Sequence, residues 1–246
     1  MFYRITAASL LALVAATSAQ AAPAADYSVQ FTTPYSAAAN PGVTFTDADV
    51  QVDGLHTYYG SWGASSVSLS DVLSSGSEYT LNLSFASIAR TDYTRKLLDF
   101  AGLTSDAGLY TNDGHLAYSY AGSPTHADIS GAAAVLTPGQ AFNLTLTRSA
   151  LSSSFSAYIN GVEQFSFLDT AGETVFSSAL KSIYILTDDN AGYEITPGVL
   201  RGISVYDTAL SATDVASISV VPEPASYALA LAGLLAIGSL MKRRRA

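Results

Sequence analysis

Along most of this 246-residue chain, apolar and polar residues take turns one by one. Residues 78–88 show it best: Tyr79, Leu81, Leu83 and Phe85 fall on one side, Thr80, Asn82 and Ser84 on the other. A period of two is that of a strand with one face buried. Phe142, Leu144 and Leu146 alternate with Asn143, Thr145 and Thr147 in the same manner, and Phe155, Ala157 and Ile159 follow. The chain then meets Asn160-Gly161, the strongest short hairpin signal because both residues tolerate positive φ. Phe165 and Phe167 open the returning strand. Residues 181–187 and 199–206 predict two more strands. Stretches rich in Gly, Ser, Asn and Asp at 102–108, 122–131 and 188–198 predict the main loops. One body segment has a helical pattern, with Ser211 as its cap, Asp214 at the third helical position, and Val215 and Ile218 as an apolar stripe. Many short strands, turns between them and almost no helix predict an all-β antiparallel sandwich over residues 27–218.

Both ends break the alternation. Residues 1–21 read as a secretory signal peptide: Arg4 supplies a positive start, residues 5–16 an apolar run, and Ala19-Gln20-Ala21 a small-residue cleavage site. Passage through the Sec export machinery is the expectation. Residues 221–246 hold Pro222-Glu223-Pro224, then an uncharged apolar run over 225–241, then Lys242-Arg243-Arg244-Arg245. Prolines suit the first turn of a helix and cannot continue one from upstream. The run reaches about 26 Å at helical rise, the short end of a bilayer span. The basic cluster then stays on the cytoplasmic side, leaving the body beyond the membrane.

Charge sharpens this picture. Between the two ends lie six basic and 19 acidic side chains, a net −13. Such a surface repels nucleic acid and anionic lipid, and suits calcium or neutral, hydroxyl-rich polymers. The chain has no cysteine, so disulfides and zinc–thiolate sites are excluded.

The tail, from Val221-Pro222-Glu223-Pro224-Ala225-Ser226 through the short span to the arginine-rich end, resembles the PEP-CTERM sorting signal of Gram-negative bacteria. The resemblance implies an exosortase-type membrane protease as partner, transient anchoring in the inner membrane, and delivery to the cell surface or an exopolysaccharide matrix. An ordinary single-span tail anchor is the alternative. The body carries a second resemblance. Lys96-Leu97-Leu98-Asp99-Phe100, Gly108-Leu109-Tyr110, residues 142–148, Tyr158-Ile159-Asn160-Gly161, residues 184–190 and the run from Gly202 to Ser211 look, in this order, like the concanavalin A-like, laminin-G-like jelly roll. That implies two curved antiparallel sheets, one often presenting a concave face to sugar or protein.

Candidate chemistry is sparse. Glucanases on this fold use a close pair of carboxylates on one strand. The body's glutamates, Glu78, Glu163, Glu173 and Glu194, have no acidic residue two positions away. His56, His115 and His126 accompany many serines, yet no Gly-x-Ser-x-Gly elbow occurs. No catalytic residue is therefore expected. Asp188-Asp189-Asn190 opens a loop ending near Glu194, a set of hard oxygen ligands suited to calcium or an Asx-rich turn held by its own backbone. Asp106, Asn112 and Asp113 form a weaker cluster of the same kind. Tyr58, Tyr59 and Trp62 offer aromatic faces that stack on pyranose rings, with the alternative that Trp62 anchors the core. Tyr118 and Tyr120 share one strand face, as groove lining or as packing. The expectation is an exported, non-catalytic module that binds extracellular polysaccharide or other matrix components. A secreted glycan-active hydrolase and a purely structural matrix protein are the alternatives.

Overall fold

The computed structural model describes residues 21–31, 42–46, 50–51, 56–58, 66–87, 94–120, 127–176, 182–187, 194 and 198–219. Residues 1–20 of the predicted signal peptide and the whole tail, with Pro222, Glu223, Pro224 and Lys242 to Arg245, lie outside them. So do Tyr59, Trp62, Asp188, Asp189 and Asn190.

The strands are β1 (Tyr27–Gln30), β2 (Val43–Thr46), β3 (Val50–Gln51), β4 (His56–Tyr58), β5 (Ser66–Ser70), β6 (Tyr79–Ser87), β7 (Arg95–Asp99) and β8 (Gly108–Asn112). They continue with β9 (His115–Ser119), β10 (Ile129–Ser130), β11 (Ala141–Ser149), β12 (Ser154–Ile159), β13 (Val162–Leu168), β14 (Ser182–Ile185) and β15 (Gly198–Tyr206), followed by the helix α1 (Ala212–Ile218). An eight-stranded sheet runs β13-β12-β11-β6-β15-β4-β3, with β1 joined to β15. A seven-stranded sheet runs β10-β9-β8-β7-β14-β5-β2. Every described pairing is antiparallel.

The alternation read from the sequence sets which side chains meet. Leu81, Leu83 and Phe85 on β6 stand opposite Leu146, Leu144 and Phe142 on β11, and Val205 and Ile203 on β15 lie across from Leu81 and Leu83. These apolar rows face Leu109, Leu116, Tyr118, Ile183 and Ile185 of the other sheet in one continuous core. A one-residue slip would turn each row out to water, so burial fixes the register. The hairpin at Asn160-Gly161 forms as predicted, with φ of 50° and 78°.

The second face of β11 departs from expectation. Alternation predicts that Asn143, Thr145 and Thr147 face water, yet they are 7%, 0% and 7% exposed. The chain after β15 folds back over Asn143 and Thr145 and over Thr80 of β6. Thr80 Oγ1 donates to Thr208 O at 2.8 Å and accepts from Leu210 N at 2.9 Å. Glu78 accepts from Ala209 N and Ala150 N. The helix begins as its sequence predicts: the Ser211 hydroxyl accepts from Asp214 N at 3.2 Å, and Val215 is fully buried. At its end, Asn143 Nδ2 donates to Ser219 O at 3.0 Å and Thr145 Oγ1 lies 3.2 Å from Ser219 Oγ. A third layer thus caps the outer face of the eight-stranded sheet.

Candidate functional site

Among the described residues, no helix covers the outer face of the seven-stranded sheet. On β8 and β9, Leu109, Leu116 and Tyr118 point inward, so Tyr110, Ala117 and Ser119 point outward. Tyr110 stands opposite Ala117, and Ala117 opposite Ser130 of β10. These residues floor a cavity of about 200 Å³. Its walls come from loops: Asp106 from the β7–β8 connection, Asp128 from the approach to β10, and Thr94 and Glu194 from beside β7. Lys96 N donates to Glu194 O at 2.7 Å, which ties that last segment to the sheet.

The wall bearing Asp106 is held from beneath. Lys96 Nζ lies 2.8 Å from an Asp99 carboxylate oxygen, and both side chains are wholly buried. Lys96 Nζ also donates to Ser105 O at 3.1 Å and sits 5.6 Å from the centre of the Tyr110 ring. The other Asp99 oxygen accepts from Leu103 N at 2.8 Å. Both charges therefore spend their hydrogen bonds on the backbone of residues 103–105. Gly108 makes this possible, because a Cβ there would stand 2.7 Å from Lys96 Cε and 2.6 Å from Leu98 O. Above the pair, the Tyr110 hydroxyl donates to Asp106 O at 2.7 Å and Oδ1 at 2.8 Å. Asp128 Oδ1 accepts from Tyr120 N at 2.9 Å. Carboxylates, hydroxyls and the Asn112 amide thus share one cavity, and among the described residues that line it there is no Lys, Arg or His.

A second polar network is scaffold. Arg148 continues the inward row of β11, opposite Tyr79. Its Nε lies 3.0 Å from Asp169 Oδ2, and Nη1 donates to Ser77 O at 2.6 Å. Asp169 also accepts from Glu173 N at 2.7 Å, and from Thr174 N at 3.0 Å and Oγ1 at 2.6 Å. Burial pushes the Asp169 carboxyl up, but these hydrogen bonds outweigh it and hold the group below the usual carboxylate range. Desolvation raises the Tyr79 and Tyr118 phenols well above their ordinary value, so both stay protonated and donate to Thr174 O and Glu173 O. Donors and acceptors satisfy one another here, which closes one end of the core.

Of the residues singled out from sequence, the structure joins some and separates others. Asp106, Asn112 and Glu194 meet at the cavity, while Asp113 sits in the β8–β9 turn at φ 48°. Tyr118 and Tyr120 turn inward and pack edge to face, ring centres 4.8 Å apart; they are core. Tyr58 lies on β4, paired with Gly198 and Val50, and its side chain is outside the described set. Among the described residues, no group of three or more His, Asp or Glu could hold a metal ion. Sequence reading missed Asp128, Ser119, Ser130 and Tyr110. The Asp113-Gly114 pair, a hairpin signal flanked by alternating strands, was the cue that would have paired β8 with β9.

The fold defines a class: the chain belongs to the concanavalin A-like lectin/glucanase superfamily, whose laminin-G-type model matches residues 61–216. Residues 220–245 match the PEP-CTERM protein-sorting motif, so this is an exported protein that is transiently anchored in a membrane and processed by an exosortase. Among the described residues, no helix is long and apolar enough to cross a membrane. Comparison with curated proteins gives no match. Among solved structures, domain 4 of AbnA, an extracellular arabinanase from Geobacillus stearothermophilus in complex with arabinotriose, is 20% identical with a TM-score of 0.50, over 72% of this chain and 81% of that one. Trypanosoma rangeli sialidase in complex with 2,3-difluorosialic acid is 16% identical with a TM-score of 0.51, over 72% of this chain but 29% of that one. At these identities the likeness is one of fold.

Proposed function

We propose that the body binds extracellular polysaccharide in the cavity on the outer face of the seven-stranded sheet, without cleaving it, after export by the Sec route behind a cleaved signal peptide. The sorting motif supports delivery to the surface or matrix of a Gram-negative cell as part of this reading. What carries the reading is the cavity itself: a polar hollow of about 200 Å³ floored by a rigid sheet. Carboxylates and hydroxyls at fixed positions accept and donate to sugar hydroxyls, and Ala117 leaves a small apolar floor for a ring face. The surplus of carboxylate disfavours uronate-rich and sialylated chains by like-charge repulsion. Neutral or amine-bearing glycans are the ligand class.

Ala117→Trp fills the floor from a position between Tyr110 and Ser130. Titrating neutral, amine-bearing and polyuronate polysaccharides by calorimetry should give binding in the first two classes, lost at least ~10-fold in Ala117→Trp with the circular dichroism unchanged. Repeating the titrations with calcium and with chelator tests the proposed ion site at Asp188, Asp189 and Asn190. Absence of binding in every condition favours a purely structural role. The three carboxylates around one cavity are also what a hydrolase needs, and release of new reducing ends by the purified body would replace binding with catalysis.

A further inference from the structure

We infer that the cavity takes the terminal sugar of a glycan chain and not an internal stretch, a step that rests on the glycan reading above and adds which part of the polymer is bound. On the outer face of the seven-stranded sheet, one cross-strand row runs Ser68, Tyr184, Asp99, Gly108 and Ser119. A glycan laid across the sheet would follow it. The row is blocked partway. A bulge on β7 shifts the register between Lys96 and Leu98. Lys96 and Asp99, three residues apart, therefore share the outer face, where regular alternation would part them. Both are wholly buried, because residues 103–105 lie over them: Leu103 N donates to Asp99 at 2.8 Å, and Lys96 Nζ donates to Ser105 O at 3.1 Å. Gly108 beside them is buried too. An extended ligand resting on β8 thus meets a barrier at β7.

Both strand-wise ends of the floor are walled as well. Asp128 stands at the Ser119 end, fixed by the bond from Tyr120 N at 2.9 Å. Thr94 precedes the Arg95–Thr111 pair, which sets it level with Asn112, and it closes the other end together with Glu194. Among the described residues, the cavity is left open outward and past β10, the last strand of its sheet. From β8 to β10 the floor measures about 10 Å at ~4.8 Å per strand. The volume of about 200 Å³ falls short of the ~300 Å³ at which pockets for drug-sized ligands begin. One sugar ring fits, and a run of rings does not. A chain enters over β10 and stops with its last ring against the Asp106 wall.

Chain length provides the test. Full-length protein in zwitterionic detergent is titrated by calorimetry with size-fractionated dextran, inulin and chitosan. Each glycan is supplied as a short fraction and as one about ten times longer, at equal molar concentration of chains. For a glycan that binds, both fractions should give the same affinity per chain within ~2-fold, and saturate at one protein per chain. Binding to internal segments would instead load about ten times as many proteins on the longer chain; that result overturns terminal recognition and leaves glycan binding in place. No binding of any of the three glycans overturns the glycan reading of the cavity, and terminal recognition with it.

Discussion

Two buried ion pairs show how single residues divide between scaffold and site. Lys96 and Asp99 are both fully buried, and the pair's hydrogen bonds go to the loop that carries Asp106. Removing one partner strands a charge, so Lys96→Met should cost about 3–5 kcal/mol in urea denaturation, whereas Lys96→Met with Asp99→Leu should recover most of that loss. Should the pair serve to position the Asp106 wall, the double variant would stay folded yet bind glycan more weakly. Asp169 makes a pH prediction. Its folded pKa is depressed, so its stabilisation is present above the unfolded carboxylate value near ~4 and is lost as pH falls through the lower folded value. Stability of the native chain should therefore drop below about pH 4, and Asp169→Asn, though less stable, should lose less over that interval. Denaturation midpoints at successive pH values decide it; equal slopes would remove Asp169 from the account.

At the scale of elements, the informative piece is the segment from Asp207 to Ser219. Its seven-residue helix is too short to hold itself in water; it forms because Ser211 caps it, Val215 is buried, and Asn143 and Thr145 receive its end. Asn143→Ala leaves the Ser219 carbonyl without its donor, at about 1–3 kcal/mol. The loss should be local. Hydrogen exchange at Val215 and Ser219 should quicken about tenfold or more while the β11 amides hold their protection. Uniform quickening would mean that the helix and sheet open together. Elements were also where the sequence was most legible. Residues 79–87, 141–149 and 154–168 form strands as the period of two predicts, because one buried face is a local pattern. The cavity was less so. Asp106, Asn112 and Glu194 could be noticed, but neighbours from β9 and β10 join them through pairing between strands, which one-dimensional spacing does not encode.

The whole molecule is a sandwich with unlike outer faces: among the described residues, α1 covers part of one and an acidic cavity lies on the other. The sorting motif begins at residue 220, directly after the buried Ser219. Processing at the motif should remove the basic cluster. Mass analysis of the mature protein from fractionated native cells is expected to find a C-terminus near Pro222 to Pro224. Recovery of the chain with Arg245 still attached would refute it.

The sequence by itself determined the sorting motif and the strands. A sorting motif is read linearly by its protease, and a buried strand face leaves its mark at every second residue. Tertiary structure alone decided that Thr80, Asn143 and Thr145 are interior, that Arg148 and Lys96 are buried with partners, and that the cavity draws on four separate stretches of chain. Those outcomes depend on which surfaces are laid over one another, and a polar side chain looks the same in sequence whether water or a folded-back helix will satisfy its hydrogen bonds.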